Sequence, residues 1–220
     1  MTANVLQRLR VVFSKGAETR YISHLDVARA WERTFRRASV PLAYSSGFNP
    51  RPKVVFAAAI AVGFAGRAEM LDVLLMRRMP PREFASRVQE ELPSGLQLSS
   101  VEEVSIGLPP LPTQVIAAEY EVVVETVDAA EVMQARLDEL LVAETISCRR
   151  ERPGKVQIYD LRPLIKKLWV ADRRENECVI GMYLQADAQG TGRPDEVMAA
   201  LGLTEVVRSI ERVQLLFESG

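Results

Sequence analysis

The sequence predicts an α+β chain built from two tandem ferredoxin-like modules, each running β-α-β-β-α-β. Three observations predict it. Segments with apolar residues at every second position alternate with segments where they recur every three or four. That alternation passes through the same element order twice. A proline-rich stretch, Gly107 to Thr113 (GLPPLPT), stands between the two passes and reads as an extended linker. The boundaries so drawn are a first module over 1–106, a linker over 107–118 and a second module over 119–220. With 220 residues and 48% of them hydrophobic, the chain can bury a core in one large or two small domains.

In the first half, Arg8 to Ser14 alternates as a strand with Leu9, Val11 and Phe13 on one face. Ser23 followed by Asp26 is a capping box with a short acid, so a helix is expected from His24. Its apolar stripe reads Leu25, Ala28, Trp31, Phe35 and Ala38, and Pro41 forbids continuation. Off the stripe lie Arg29, Arg33, Arg36 and Arg37, opposed by Glu32 alone; the last two suit the negative end of the helix dipole. Val40–Tyr44, Lys53–Val62 and Glu69–Met76 read as strands, the first of them short and extra to the module. Between them, Gly47 permits positive φ, while Pro50 and Pro52 hold Asn49 and Arg51 extended. That loop is stiff and displays Phe48, Asn49, Arg51 and Lys53. Pro80 and Pro81 open a second helix to about Leu92, and Leu96–Val104 closes the module as a strand.

In the second half, Tyr120–Glu125 is a strand and Asp128 with Glu131 caps a helix to about Ala143. Thr145–Arg150 and Lys155–Tyr159 read as paired strands turning at Pro153-Gly154, and Leu161–Trp169 as a short helix or an irregular crossing. Cys178–Ala186 is a strand. Pro194, the acids Asp195 and Glu196, and Gly202 bound a last helix before the strand Val206–Phe217.

Placement of charge says more than its total of −1. Arg8 to Lys53 holds ten basic residues against Glu18, Asp26 and Glu32; Arg149 to Arg174 holds nine against Glu151, Asp160 and Asp172. Glu83 to Glu144 holds thirteen acids against Arg87 and Arg136. Such segregation fits a surface for a polyanion, with Tyr21, Tyr44, Phe48, Tyr159 and Trp169 available to stack on unpaired bases. A bland alternative, scattered surface charge, stays open.

Several functions find no support. Two distant cysteines, Cys148 and Cys178, and a single histidine match no zinc spacing and fall short of the cysteine set an iron–sulfur cluster needs. Both thiols are expected reduced in a cytoplasm. No Walker or dinucleotide loop occurs, since Gly190-Thr191-Gly192 has the wrong spacing. Gly63-Phe64-Ala65-Gly66 spells a GXXG loop without a clear flanking helix pair, and the aromatic strand motif of RNA-recognition sheets is absent. No run approaches the ~20 apolar residues that span a bilayer, so no membrane role is expected. His24, at a helix N-terminus with Tyr21 and Asp26 close in sequence, is the one candidate acid or base.

The segment Tyr21-Ile22-Ser23-His24-Leu25-Asp26, the arginine-bearing helix and PLAYSSGFNPRPKVVFA from Pro41 to Ala57 resemble the N-terminal signature of the radical SAM-linked protein family. That is a domain of unknown function found beside, or fused to, radical SAM proteins. Weaker matches follow at Asp160-Leu161-Arg162-Pro163, at Arg193 to Val197 and around Ile210 to Leu216. Ser46 stands where that family tends to have glutamine, and Ala59 and Ala61 where it often has prolines. The resemblance implies a radical SAM protein as partner.

The expectation is a cytoplasmic protein without its own cofactor or metal, an accessory or substrate-presenting module for a radical SAM enzyme. Its anionic substrate, RNA by preference, would meet Tyr21, Arg29, Arg33, Arg36, Phe48, Asn49, Arg51 and Lys53, with Arg149, Arg150 and Arg162 from the second half. Two alternatives stand beside it: a small RNA-processing or RNA-modifying enzyme using His24, and a scaffold that docks protein through its acidic segment.

Overall fold

The computed structural model describes residues 5–152 and 155–218. They divide into two compact units, one formed by the described residues up to Val115 together with Glu218, the other by those within Ile116–Phe217. Both are mixed α+β, and four α-helices occur among the described residues.

The first unit runs β1 (Gln7–Lys15), α1 (His24–Arg37), β2 (Val54–Phe56), β3 (Phe64–Leu75), α2 (Pro81–Glu91) and β4 (Leu96–Val104). Its strands lie in the order β4-β1-β3-β2, each neighbouring pair antiparallel. Strand alternation sends Leu9, Val11 and Phe13 inward with Leu71, Val73 and Leu75 of β3. Against that face pack Val27, Trp31 and Phe35 of α1 and Phe84 and Val88 of α2. Aromatic rings run through this core by edge and tilted contacts, Phe13 to Trp31 at 5.0 Å, Trp31 to Phe35 at 5.2 Å and Phe35 to Phe84 at 5.7 Å.

The buried stripe of α1 is Val27, Trp31, Thr34 and Phe35, so the stripe expected through Leu25 and Ala28 is turned; Leu25 is exposed. Ser23 is the N-cap, its hydroxyl accepting from Asp26 N and donating to the Asp26 carboxylate at 2.7 Å. The strand expected over Val40–Tyr44 is instead two isolated bridges, Leu42 to Leu75 and Tyr44 to Pro52. Pro41 and Pro52 lack the N–H a continuous ladder needs. Lys53–Val62 shortens to β2 for the same reason and because its alanines favour strand weakly. The Gly63–Gly66 run enters β3, with Gly66 opposite Lys15, and forms no loop between helices.

The proline-rich stretch belongs to the first unit. The Arg8 guanidinium donates to Leu108 O at 2.8 Å and Pro109 O at 3.0 Å, and Leu111 is fully buried. Beneath it, both Arg8 and Arg10 close on the buried carboxylate of Asp72.

The second unit runs β5 (Val115–Glu125), α3 (Ala130–Val142), β6 (Ser147–Arg152), β7 (Lys155–Asp160), β8 (Ile165–Arg174), β9 (Glu177–Gln185), α4 (Pro194–Ala200) and β10 (Val207–Phe217). Its sheet has the order β10-β5-β9-β8, and β6-β7 pair with each other apart from it. With β6 and β7 set aside, both units place their fourth, first, third and second strands in that spatial order. The strands expected to pair over 145–159 do pair, but as an inserted hairpin outside the sheet, and Leu161–Trp169, expected as a short helix or an irregular crossing, holds a 3₁₀ turn and the start of β8. The turn read at Pro153-Gly154 lies outside the described residues. On β8, Trp169 lies across Gly181 of β9, where any Cβ would come within 2.2 Å of the indole.

Candidate functional site

The site begins with a buried cation. Lys15 ends β1 on its inward parity, and its ammonium donates to Arg20 O, Ile22 O and Phe64 O at 3.0, 3.3 and 3.0 Å. The first two carbonyls belong to the segment leading into α1 and the third to the start of β3, so Lys15 ties the approach to the helix to the sheet. The Ser23 cap then starts α1 at His24.

From this start, helical spacing puts Arg29, Arg33 and Arg36 along one exposed edge. With Asp26 and Glu32 they line a concavity of about 620 Å³ whose far wall is Tyr44 and Pro52. The charges are unequal partners. Arg29 donates to Asp26 at 3.1 Å, while among the described residues no ion pair engages Arg33 or Arg36. The Ser23 hydroxyl, and then Arg29, hold the Asp26 carboxyl below its usual range. Asp26 thus stays ionised, and Arg29 is partly neutralised.

The wall carrying Tyr44 and Pro52 is the neck of a loop. Lys53 N donates to Ala43 O at 2.8 Å, Ser45 N to Arg51 O at 2.9 Å, and Arg51 N to the Ser45 hydroxyl at 2.9 Å. Beyond the neck, residues 46–50 are all exposed. Gly47 has φ +126, a left-handed conformation that a side chain strains. The stiffness expected from Pro50 and Pro52 is thus matched by a hydrogen-bonded neck.

Of the residues singled out in the sequence, Arg29, Arg33 and Arg36 meet in the concavity, while Arg51 and Lys53 are the chain neighbours of its wall residue Pro52 and do not line it. Phe48 and Asn49 sit at the exposed loop tip. Tyr21 is 69% exposed, its ring covered by the Arg20 guanidinium at 4.8 Å. His24 is half-buried with its imidazole edge-on to Phe56 at 5.0 Å. The acid expected near it, Asp26, is held by Ser23 and Arg29.

In the second unit the named arginines are engaged locally. Arg150 pairs with Glu196 at 2.8 Å, donates to the Tyr159 hydroxyl at 2.7 Å and covers the Tyr159 ring at 4.8 Å. Tyr159 donates to Glu196 as well, and burial followed by that carboxylate pushes its hydroxyl pKa well up. Arg162 donates to Leu141 O in the last turn of α3 and to Ile165 O. Arg149 is exposed on β6. Burial and the Glu196 charge raise the Cys148 thiol, which disfavours a reactive thiolate.

Two contributors escaped the sequence reading: Lys15, and Tyr44 as a wall of the concavity. Lys15 was visible in principle, being the fifth inward residue of an alternation begun at Gln7. Among the ten basic residues counted from Arg8 to Lys53, Arg8 and Lys15 are buried and Arg10 is bound to Asp72, so the outward charge comes from α1 and the loop.

No curated protein matches the chain. Among solved structures, it is similar to an archaeal box H/ACA sRNP Nop10–Cbf5 complex, at 8% identity and a TM-score of 0.48 over 96% of this chain and 49% of that one. It is likewise similar to a Cbf5–Nop10–Gar1 complex, at 7% identity and a TM-score of 0.49 over 96% and 50% of the two chains. A third, an H/ACA RNP bound to a substrate RNA containing 2'-deoxyuridine, gives 9% identity and a TM-score of 0.48 over 96% and 49%. The chain spans about half the length of these structures. Likeness at that level carries no functional weight. Residues 8–194 match the family described as an uncharacterized protein conserved in bacteria (DUF2344), and the chain belongs to that family.

Proposed function

We propose that the chain is a non-catalytic module that holds RNA on the arginine edge of α1 and the adjoining loop. The observation that carries this is the concavity formed by Arg29, Arg33 and Arg36 opposite Tyr44 and Pro52. Three guanidinium groups one helical turn apart, facing a rigid wall, suit successive phosphates of one strand. Arg51 and Lys53 extend the positive rim. Arg33 and Arg36 dominate, because Asp26 offsets Arg29.

Binding without catalysis is the favoured reading. His24 packs edge-on to Phe56, and Asp26, the one acid near it in sequence, is engaged in capping. The radical SAM partner rests on the sequence resemblance from Tyr21 to Ala57. The same strand order in both units supports two ferredoxin-like modules, the second carrying an inserted hairpin. In this reading Arg150 and Arg162 fasten the hairpin and the end of α3, and the RNA site lies in the first unit.

The test is fluorescence anisotropy of labelled single-stranded RNA across a salt series. If three arginines each release about one counterion, log K falls with log salt at a slope near −2, so a fourfold rise in salt weakens binding about 20-fold. Arg33→Ala lowers the slope by about 0.7 and weakens binding about fivefold near 0.1 M salt. Arg87→Ala, an arginine paired with Glu83 on α2, serves as control and changes neither. A slope untouched by Arg33→Ala, or RNA turnover by the wild-type chain that His24→Ala abolishes, refutes the proposal.

A further inference from the structure

We infer that Phe48 is a stacking residue for an unpaired base, which makes the ligand single-stranded RNA in preference to duplex; this rests on the RNA-binding reading above. A lone exposed apolar side chain ordinarily calls for no explanation. Phe48 differs on three counts that converge.

First, its ring is 105% exposed, so it makes no packing contribution to the folded chain. A phenylalanine left in water forgoes the gain that burying its ring would bring. Second, it is held out by a stiff support. The neck is closed by Lys53 to Ala43 and by Ser45 to Arg51, with the Ser45 hydroxyl accepting from Arg51 N. Gly47 at φ +126 and Pro50 narrow the conformations of the tip on either side of Phe48. A backbone already restrained on both sides of Phe48 loses less entropy on binding. Third, the same neck forms the wall of the arginine concavity through Tyr44 and Pro52. A strand whose phosphates sit against Arg33 and Arg36 brings its bases toward the loop.

A duplex cannot use such a ring. Its base faces are stacked on one another, and an A-form helix offers its grooves and phosphates instead. A single strand has an open π-face at every base, and stacking on an aromatic side chain is tolerant of sequence. The arginines supply phosphate contacts to either form, so Phe48 is the element that discriminates.

The experiment compares an oligouridylate of about 12 nucleotides with a blunt RNA duplex of about 16 base pairs at low salt. Phe48→Ala is expected to weaken oligouridylate binding at least about fivefold, leave duplex binding alone and leave the salt slope unchanged. Phe48→Trp is expected to retain affinity, and its emission to be quenched by oligouridylate only. Circular dichroism of both variants checks that the fold is kept. Loss of single-strand binding alone supports the inference. Equal effects on both probes, or none from Phe48→Ala while Arg33→Ala still lowers the slope, overturn stacking and leave the phosphate site standing. Failure of the wild-type chain to bind either probe overturns both.

Discussion

Asp72→Ala should be among the most damaging single substitutions in the first unit. Its carboxylate is fully buried and accepts from Arg8 Nη2 and Nε and from Arg10 Nε and Nη2 at distances of 2.5 to 3.1 Å. Removing it leaves two guanidinium groups, one buried and one nearly so, with no countercharge. Breaking a buried pair from one side costs about 3–5 kcal/mol. With a urea dependence near 1.5 kcal/mol/M, the midpoint falls by roughly 2–3 M. The two tryptophans give the assay its selectivity, since Trp31 lies in the first unit and Trp169 in the second. Urea unfolding followed by Trp31 emission in a Trp169→Phe background reports the first unit alone. Arg8 also holds Leu108 O and Pro109 O, so the variant should expose the 106–111 segment to proteolysis. A midpoint shift below about 0.5 M would refute the view that the Arg8–Asp72–Arg10 group needs its anion.

Three further outcomes follow from the geometry. Gly181→Ala puts a Cβ within 2.2–2.5 Å of the Trp169 indole, so the ring must move; a loss of about 1–3 kcal/mol, read by urea unfolding of the second unit on Trp169 emission, is expected. Ser23→Ala removes the acceptor of Asp26 N and should cost about 1 kcal/mol in the first unit, measured by the same titration on Trp31. Tyr159 has a folded pKa raised above the ordinary value of 10, so its neutral hydroxyl stabilises the fold fully below pH 10 and that contribution is lost as pH rises through the folded pKa. Tyr159→Phe should therefore abolish the part of the alkaline stability loss that lies above pH 10, as read from midpoints at stepped pH.

Much of the first unit was legible because its local rules agree with its packing. The cap at Ser23, the alternation of β1 and the prolines opening α2 each point to one structure, and the strand order follows. The α1 stripe slipped because Leu25 and Ala28 also satisfy helical spacing, and only the position of β1 and β3 beneath selects Val27 and Thr34. The second unit misled at β8. Register shifts between Ile165 and Lys167 and between Val170 and Asp172 insert extra residues into the strand. Buried Ile165 and Leu168 then stand three apart, the spacing of a helix, while two basic residues between them look like its outer face. The candidate site was half legible. The loop and α1 arginines stand out by composition, whereas the fate of Arg8, Arg10, Lys15, Arg150 and Arg162 depends on partners distant in sequence.

In the proposed reading, that difference between legible and illegible charge bears on where a polyanion would bind. Equivalent helices of the two units carry opposite outer faces: α1 presents Arg29, Arg33, Arg36 and Arg37, while α3 presents Glu131, Asp138 and Glu139. The basic hairpin of the second unit does not reverse this, because Arg150 closes on Glu196 and Tyr159 and the Arg162 fork faces backbone carbonyls. An aromatic pair also lies on the β8–β9 surface, Trp169 against Tyr183 at 5.0 Å with Lys167 over the indole. Its cross-strand neighbours are Glu119 and Glu121 of β5, which repel phosphate. Two units of one strand order thus bear surfaces of unlike chemistry. In the proposed reading an RNA strand would gain counterion release along α1, and among the described residues the fully exposed ring of Phe48 lies on the loop beside that edge.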